Sequence, residues 1–373
     1  MAKPSALVFV DKDYMKSLGY PASPLWDGES IILSAPLEVH AAITNQCNAG
    51  CRFCYTDSTS NTEQPRLGIE KWKSITDELA RIRVFHMALG GGESFEESWF
   101  IDLANYVQEK KIVPNLTTNG FLITPAVAYQ CRKIFGQINI SLDGPQEIHN
   151  KYRGNKGFEA AFNGLKLLLE AGCKAGINCV VHRFNFEHLE SLIALASKVG
   201  VNQVELLRFK PAGRGAEVFK EYDLTSEQAV NLYHVIRNLI KKYRITIRLD
   251  CSFTPMICWH NPDKKRMDKF GIAGCLGGDM LMGIRSNGKV CGCSFTPSED
   301  LDPMDINKWW AAPSTFAEFR KLIRNYSYEP CCKCRYLDLC HGGCHAVSLH
   351  ESGNFDLPDP GCPKVRIEGG YQS

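Results

Sequence analysis

The stretch that decides the fold is LEVHAAITNQCNAGCRFCYTDS, residues 37–58. Its first part, LEVHAAIT (37–44), is an apolar run that predicts a β-strand. The part that follows carries Cys47, Cys51 and Cys54 in the spacing CxxxCxxC. Three thiols therefore come directly after a predicted strand, where α/β proteins place their chemistry.

Five more strand-like runs follow, and helical patterns separate them. The predicted strands are 37–44, 85–91, 112–118, 137–143, 175–181 and 203–209, and the predicted helices are 69–82, 97–110, 124–135, 158–171, 186–199 and 225–243. Six βα repeats imply a parallel sheet, because each strand needs a long crossover to reach the next. This pattern fits either a doubly wound fold or an incomplete (β/α) barrel.

Unusual residues recur at the carboxyl ends of these strands. The segments GGGE (90–93), TTNG (117–120) and SLDG (141–144) follow the second, third and fourth strands. One glycine-rich turn means little, since glycine suits any tight turn. Together with the cysteine loop after the first strand, these make four polar or metal-binding loops on one edge of the sheet, and they predict a functional site there.

Composition limits the functional classes. The 373 residues are 44% hydrophobic, and 43 Lys plus Arg balance 41 Asp plus Glu. The net charge of +2 gives no reason to expect nucleic acid or an anionic membrane as a partner. The N-terminal apolar stretch is too short for a signal peptide, and no apolar span follows, so we expect a cytoplasmic protein.

The 17 cysteines are unevenly spread. Three lie at 47–54, nine lie from Cys275 to Cys362, and Cys251 and Cys258 come just before those nine. In a long cytosolic chain such groups hold metal or perform redox chemistry. The remaining three are expected to be small buried hydrophobic residues: Cys131, Cys173 and Cys179.

The first three thiols fit an iron–sulfur cluster better than zinc. Structural zinc needs four protein ligands, and the loop offers no fourth Cys or His, because His40 lies within the strand. A cluster held by three thiolates leaves one iron open to another ligand. The missing fourth cysteine is then the functional feature.

CxxxCxxC after the first strand of such a barrel resembles the radical S-adenosylmethionine (SAM) enzymes. The resemblance implies that a 4Fe-4S cluster on Cys47, Cys51 and Cys54 binds SAM and cleaves it reductively to a 5′-deoxyadenosyl radical. The other positions similar to SAM contacts in this family are Phe53, Gly91, Gly92, Glu93, Ser141, Arg153 and Leu206, with Leu207 beside it. The family usually has proline where this chain has Ser94.

The C-terminal cysteines resemble the SPASM extension of radical enzymes that modify peptides. By that resemblance an outer auxiliary cluster is held by Cys331, Cys334, Cys340 and Cys362, and an inner one by Cys275, Cys293 and Cys344. Asp279, Cys291 or an open iron would complete the inner site, and Cys258 and Cys332 have no assigned role. A zinc-ribbon pair is the alternative for this region.

The expected architecture is an N-terminal segment (1–36), a partial (β/α)6 TIM-like barrel (37–245) and a cysteine-rich SPASM domain (246–373). About forty residues precede the barrel, too few for a leader-binding module to fold alone. Leader recognition would fall to the short segment with its VFV strand and Tyr20-Pro21 turn, or to a separate protein.

The resemblance implies a peptide or protein maturase, with three iron–sulfur clusters and a reductant such as flavodoxin or ferredoxin. Anaerobic sulfatase maturases carry an Asp base where this chain has Ser294, which disfavours that subgroup. A radical enzyme acting on a small molecule, such as a tetrapyrrole or metal-cofactor precursor, is the second hypothesis. A non-catalytic iron–sulfur carrier or sensor is the third, and Glu93, Ser141 and Arg153 argue against it because a carrier needs no SAM pocket.

Overall fold

The computed structural model describes residues 33–154, 157–324 and 326–368, and its centre is a single nine-stranded sheet. The expected VFV strand and Tyr20-Pro21 turn lie outside the described residues. The strands are β1 (Glu38–Thr44), β2 (His86–Gly91), β3 (Val113–Thr118), β4 (Ile138–Ser141), β5 (Ala175–Val181), β6 (Val204–Arg208), β7 (Ile247–Leu249), β8 (Leu281–Ile284) and β9 (Val290–Cys291). The six predicted strands are therefore all present.

The strand order is β7-β6-β5-β4-β3-β2-β1-β8-β9, and all neighbours are parallel except the antiparallel pair β8 and β9. A doubly wound sheet reverses its strand order in the middle, whereas β1 to β7 run in unbroken chain order. Right-handed crossovers in one direction place all the connecting helices on one face of the sheet. The arrangement is that of a partial TIM barrel, as predicted.

Helices lie between the strands and cover the apolar face, and five more in the described part of the chain follow the last strand. They are α1 (Ile69–Arg81), α2 (Phe100–Glu109), α3 (Pro125–Ile134), α4 (Gln146–Arg153), α5 (Gly157–Glu170), α6 (Leu189–Val199), α7 (Phe219–Tyr222), α8 (Ser226–Tyr243), α9 (Thr254–Cys258), α10 (Lys264–Lys269), α11 (Ile306–Trp309), α12 (Ala317–Arg324), α13 (Leu337–Cys340), α14 (His345–Ser352) and α15 (Pro363–Glu368). Local signals set their ends: Thr225 and Gln228 form a capping box for α8, and Gly200 ends α6 at a φ of 76°.

The two faces of the sheet differ in chemistry. Alternate residues such as Ile43, Leu89 and Ile177 are buried against the helices and form the main core. The opposite face is polar, because Glu38 pairs with His86 and Asn178 pairs with Glu205 in register. An interior lined with polar groups is suited to hold a ligand more than to stabilise a core.

Residues beyond the predicted barrel complete the sheet. β8 pairs with β1 in parallel and β7 pairs with β6, so the sheet extends past the predicted boundary at residue 245. These strands are only two to four residues long, and such short runs carry too little periodicity to be recognised in a sequence. None of the described helices is long and apolar enough to cross a membrane.

Two buried histidines predict that the protein loses stability in mild acid. Burial lowers the pKa of His149 and of His182 to about 4, and each Nδ1 accepts a backbone hydrogen bond. The unfolded chain therefore binds more protons than the native chain between about pH 6.5 and 4, and stability falls as the pH falls through this window. At pH 5.5 the expected loss is about 1.4 kcal/mol for each histidine relative to pH 7.5.

Urea unfolding at pH 7.5 and 5.5 measures this loss. The matched variant replaces both histidines by asparagine, whose amide oxygen can take the place of the accepting Nδ1. It should lose less stability than the wild type over the same pH interval. An equal loss in the two proteins would assign the acid sensitivity to other groups.

Candidate iron–sulfur and cofactor site

The cysteine loop after β1 is held firmly by the rest of the chain. The Cys47 amide donates to the Thr59 carbonyl at 3.0 Å, which closes the loop on itself. Arg214 Nη2 donates to the Cys51 carbonyl at 3.1 Å and to the Ser58 carbonyl at 3.0 Å. The loop backbone is therefore ordered by hydrogen bonds that do not involve the thiols.

The thiols of Cys47, Cys51 and Cys54 are all free and partly accessible. Burial, together with the neighbouring Cys51, Glu93 and Cys54, raises the pKa of Cys47 to about 12. Donors surround the sulfurs: the Ser58 amide lies 3.4 Å from Cys54 Sγ, and Asn119 Nδ2 lies 4.0 Å from Cys47 Sγ. Because its neighbours disfavour the ionised form of Cys47, a bound cation is needed to make it a thiolate.

This donor set fits a cluster with one open iron. Three cysteines from one loop supply three soft thiolate ligands, and the polar donors beside them can hydrogen-bond to sulfur. Among the described residues no group of three His, Cys, Asp or Glu side chains converges closely enough to hold a single metal ion. A cluster of several irons is larger than a single ion, so its thiolate ligands are spaced more widely.

Glu93 is the buried acid of the site. It begins the turn after β2, is 1% exposed, and accepts hydrogen bonds from Thr118 Oγ1 at 2.8 Å and from the Asn119 amide at 2.8 Å. Burial raises its pKa to about 7 despite these donors. The turn passes so close to Gln46 that position 92 requires glycine, since a Cβ there would lie 2.2 Å from the Gln46 carbonyl oxygen. Glu93 is thus prepared to bind a cation.

Asn119, which no sequence motif singled out, connects the acid to the cysteine loop. Its backbone amide donates to Glu93, and its side chain donates to Asn48 Oδ1 at 2.7 Å beside Cys47. The only available signal was its position in the polar loop after the third strand. Through Asn119 the structure places Glu93 close to Cys47.

Arg153 lies on the other side of the cysteine loop. Its Nε donates to Asp143 Oδ2 at 2.5 Å, and its guanidinium lies 5.4 Å from the centre of the Phe53 ring. Burial opposes ionisation of Asp143, but Arg153 outweighs it and lowers the pKa of that carboxyl. Arg153 also counteracts the effect of burial on the Cys51 thiol. The Arg153 guanidinium thus keeps a positive charge beside the cysteine loop.

Ser141 and Leu206 lie on opposite faces of the sheet. Ser141 is the last residue of β4 and pairs with Asn178 on the polar face. Leu206 pairs with Cys179 and is fully buried in the core against the helices. Leu207, which pairs with Val180, shares the polar face with Glu205. An apolar contact to a ligand in the barrel can therefore come from Leu207 and not from Leu206.

The polar interior holds an acid–base group that no sequence motif indicated. His40 Nε2 lies 2.7 Å from Glu38 Oε1, which also contacts His86 Nε2 at 3.1 Å. His40 Nδ1 lies 3.4 Å from Ser294 Oγ. Desolvation opposes protonation of His40, but Glu38 and Glu205 outweigh it and raise the pKa of the imidazole, while Lys210 lowers it. Alternation along β1 was the one available clue.

The predicted outer cysteines share one cavity. A space of about 420 Å³ is lined by Cys258 together with the four predicted ligands, Cys331, Cys334, Cys340 and Cys362. A hydrogen bond to Cys258 and burial raise the pKa of Cys340 well above its ordinary value. Cys258 therefore lies beside this group, whereas Cys332 is exposed. Cys131 and Cys179 are buried in the core and Cys173 packs against it, as expected.

The predicted inner cysteines also come together. Burial raises the pKa of Cys293, and the nearby Cys275 and Cys344 raise it further. His341 Nδ1 lies 3.1 Å from the Cys275 carbonyl oxygen, and the Cys344 amide donates to Asp359 Oδ2 at 3.0 Å. Three thiols from three separate segments thus meet next to the barrel.

Comparison with known proteins agrees with this geometry. The model of the radical SAM superfamily matches residues 42–196. The chain is 31% identical to the mycofactocin maturase MftC of Mycolicibacterium smegmatis over 348 residues, which cover 88% of this chain and 83% of that protein. It is 25% identical over 343 residues to an AdoMet-dependent heme synthase of Methanosarcina barkeri, with 88% and 97% covered.

A solved structure shares the fold. Streptococcus suis SuiB, crystallised with its precursor peptide SuiA, aligns with a TM-score of 0.69 and 19% identity over 89% of this chain and 76% of that one. The likeness extends beyond the barrel into the cysteine-rich C-terminal part.

Proposed function

Because the chain belongs to the radical SAM superfamily, we propose that this enzyme is a maturase that oxidises or cross-links a peptide or protein substrate. The observation that carries the proposal is the meeting of Glu93 with the Cys47, Cys51 and Cys54 loop at the carboxyl ends of the strands. A carboxylate beside an open-iron site is suited to grip the amine of SAM. The relative named a maturase and the peptide-bound neighbour support a peptide substrate.

The residues divide into clear roles. Cys47, Cys51 and Cys54 would hold a 4Fe-4S cluster, and SAM bound there supplies a 5′-deoxyadenosyl radical on one-electron reduction. Glu93 would bind the SAM amine. Arg153 and Ser141 would orient its carboxylate and ribose, and Phe53, Gly91, Gly92 and Leu207 would complete the pocket, Leu207 replacing Leu206.

We propose that His40, in the polar interior, is the proton acceptor for the oxidation. A substrate that gives a hydrogen atom to the radical must lose one more electron and one proton to become two hydrogens lighter. The C-terminal cysteines would hold an iron–sulfur cluster able to accept the electron, and His40 would accept the proton. Glu38 orients the imidazole and stabilises its charged form.

His40→Gln is expected to separate the formation of 5′-deoxyadenosine from the modification of the peptide. 5′-Deoxyadenosine should still form, whereas the modified peptide should decrease by about 10²–10⁴-fold, because only the proton acceptor is lost. In the wild type, product formation should rise with pH through the raised pKa of His40, since the base must be neutral. His86→Gln is the matched control, because His86 also contacts Glu38 from the next strand. Equal yields from the wild type and His40→Gln would assign the proton to another group.

Anaerobic mass spectrometry tests the proposed function. The reconstituted enzyme is reduced with dithionite and given SAM, with and without a short peptide encoded by a neighbouring gene. We expect 5′-deoxyadenosine to increase with the peptide and the peptide to become lighter by two hydrogens. A flavodoxin or ferredoxin is the proposed cellular reductant, and a separate leader-binding protein can be added in the same assay.

The heme synthase relative favours a second candidate substrate, a tetrapyrrole. In the same assay a peptide of unchanged mass, with 5′-deoxyadenosine that responds only to an iron porphyrin, would select it. The outer cluster on Cys331, Cys334, Cys340 and Cys362 and the inner cluster on Cys275, Cys293 and Cys344 are proposed for either substrate.

A further inference from the structure

Four cysteine segments, and not three, come together near the carboxyl end of β6. Cys251 lies in the turn directly after β7, and Arg208, Lys210 and Thr254 connect that turn to the segments of Cys275, Cys293 and Cys344. We infer that Cys251 is the fourth ligand of the inner iron–sulfur cluster. This inference rests on the proposed function, which places an auxiliary cluster on the other three cysteines.

Arg208, the last residue of β6, is connected by hydrogen bonds to both the Cys251 segment and the Cys344 segment. The Arg208 amide donates to Asp250 Oδ2 at 3.2 Å, immediately before Cys251. The Arg208 guanidinium donates to Asp359 Oδ2 at 2.6 Å, and the same oxygen accepts from the Cys344 amide at 3.0 Å. One buried arginine therefore positions both cysteine segments.

The Cys275 and Cys293 segments contact the same region through other residues. Thr254, three residues after Cys251, donates to the Ala273 carbonyl at 2.8 Å and so ties its turn to the Cys275 segment. The Lys210 ammonium pairs with Asp250 and lies 4.6 Å from the centre of the Phe295 ring, two residues after Cys293. All four segments thus converge on residues 208–210 and the turn after β7.

Lys210 supplies the charge that a thiolate cluster needs. The Lys210 side chain is buried, and its ammonium pairs with the carboxylate of Asp250, the residue before Cys251. A buried cation beside the cysteine segments is suited to offset the negative charge of a thiolate cluster.

Cys291 lies in a different environment. It belongs to β9, and its Sγ is 2.7 Å from the place of a Cβ on Gly283 of β8. Its thiol is thus directed to the β8–β9 pair.

The test compares Cys251→Ala with Cys291→Ala and Asp279→Ala in a chain that also lacks Cys47, Cys51 and Cys54. In this background iron, sulfide and the paramagnetic resonance of the reduced protein report only on the auxiliary clusters. The parent is expected to hold about eight irons, as two 4Fe-4S clusters. Cys251→Ala should lose about four of them, or keep an inner cluster whose spectrum changes when imidazole is added, and the other two variants should match the parent.

Each other outcome overturns the inference. Loss of inner-cluster iron in Cys291→Ala or Asp279→Ala, with Cys251→Ala unchanged, would give the fourth position to that residue. No change in any variant would mean that the position is open. A parent without auxiliary iron would remove the proposed inner cluster as well, whereas the peptide assay of the intact enzyme tests the maturase activity separately. Cys251→Ser, compared by circular dichroism, separates ligand loss from misfolding.

Discussion

Glu93→Gln is expected to weaken SAM binding by about 10–100-fold and to reduce 5′-deoxyadenosine formation accordingly at subsaturating SAM. A hydrogen bond to a charged partner contributes about 1.5–3 kcal/mol, and the glutamine keeps the size of the side chain but not its charge. The iron content should stay unchanged, because Glu93 is not a proposed cluster ligand. This result would also exclude a carrier that has no need of a SAM pocket.

The pH dependence gives this prediction a second readout. The ligand-free pKa of Glu93 is about 7 because the carboxyl is buried, and a bound ammonium would favour its ionised form. Binding of SAM must therefore release a proton below pH 7, and the affinity should fall by up to about tenfold per pH unit there. Glu93→Gln should lack this dependence.

Equilibrium dialysis of SAM under anaerobic conditions at pH 6, 7 and 8 measures both effects. Glu96→Gln is the matched control, because Glu96 lies in the same turn but is exposed. At pH 8, where Glu93 is ionised, it should bind like the wild type, although Glu96 contributes to the raised pKa of Glu93 at lower pH. If Glu93→Gln bound SAM as tightly as Glu96→Gln, the amine would have to be held by another group.

Asp359→Asn is expected to cost about 3–5 kcal/mol of folding free energy. Arg208 and Asp359 are both fully buried and form an ion pair at 2.6 Å. Loss of the carboxylate charge leaves the guanidinium with Asp223 at 3.8 Å as its other acidic partner. A buried charge without a close partner is strongly unfavourable, and the loss is a large part of the 5–15 kcal/mol of an ordinary domain.

Urea unfolding followed by circular dichroism measures this cost. Asp338→Asn is the matched control, since Asp338 and Lys264 form an ion pair in which the aspartate side chain is 63% exposed. That substitution should cost less than about 1 kcal/mol. Asp359→Asn within 1 kcal/mol of the wild type would show that the buried pair does not stabilise the junction between β6 and the Cys344 segment.

Local sequence was enough to predict the repeating elements. The run 37–44 predicts a strand and contains β1, and the capping residues Thr225 and Gln228 begin α8 where the pattern starts. Such signals depend on neighbours within a few residues, so they are present in the linear chain. The three-residue β7 and the two-residue β9 are held in place by their partners and have no comparable local signal.

By itself, then, the sequence determined the six βα repeats, the three-thiol loop and Glu93 at the end of its strand. Only the tertiary structure decided that Asn119 links Glu93 to Cys47, and that Leu206 belongs to the core. It also brought His40 to Ser294, 254 residues away, because β8 pairs with β1. Contacts between distant segments depend on how the whole sheet closes, and no short stretch of the chain contains that information.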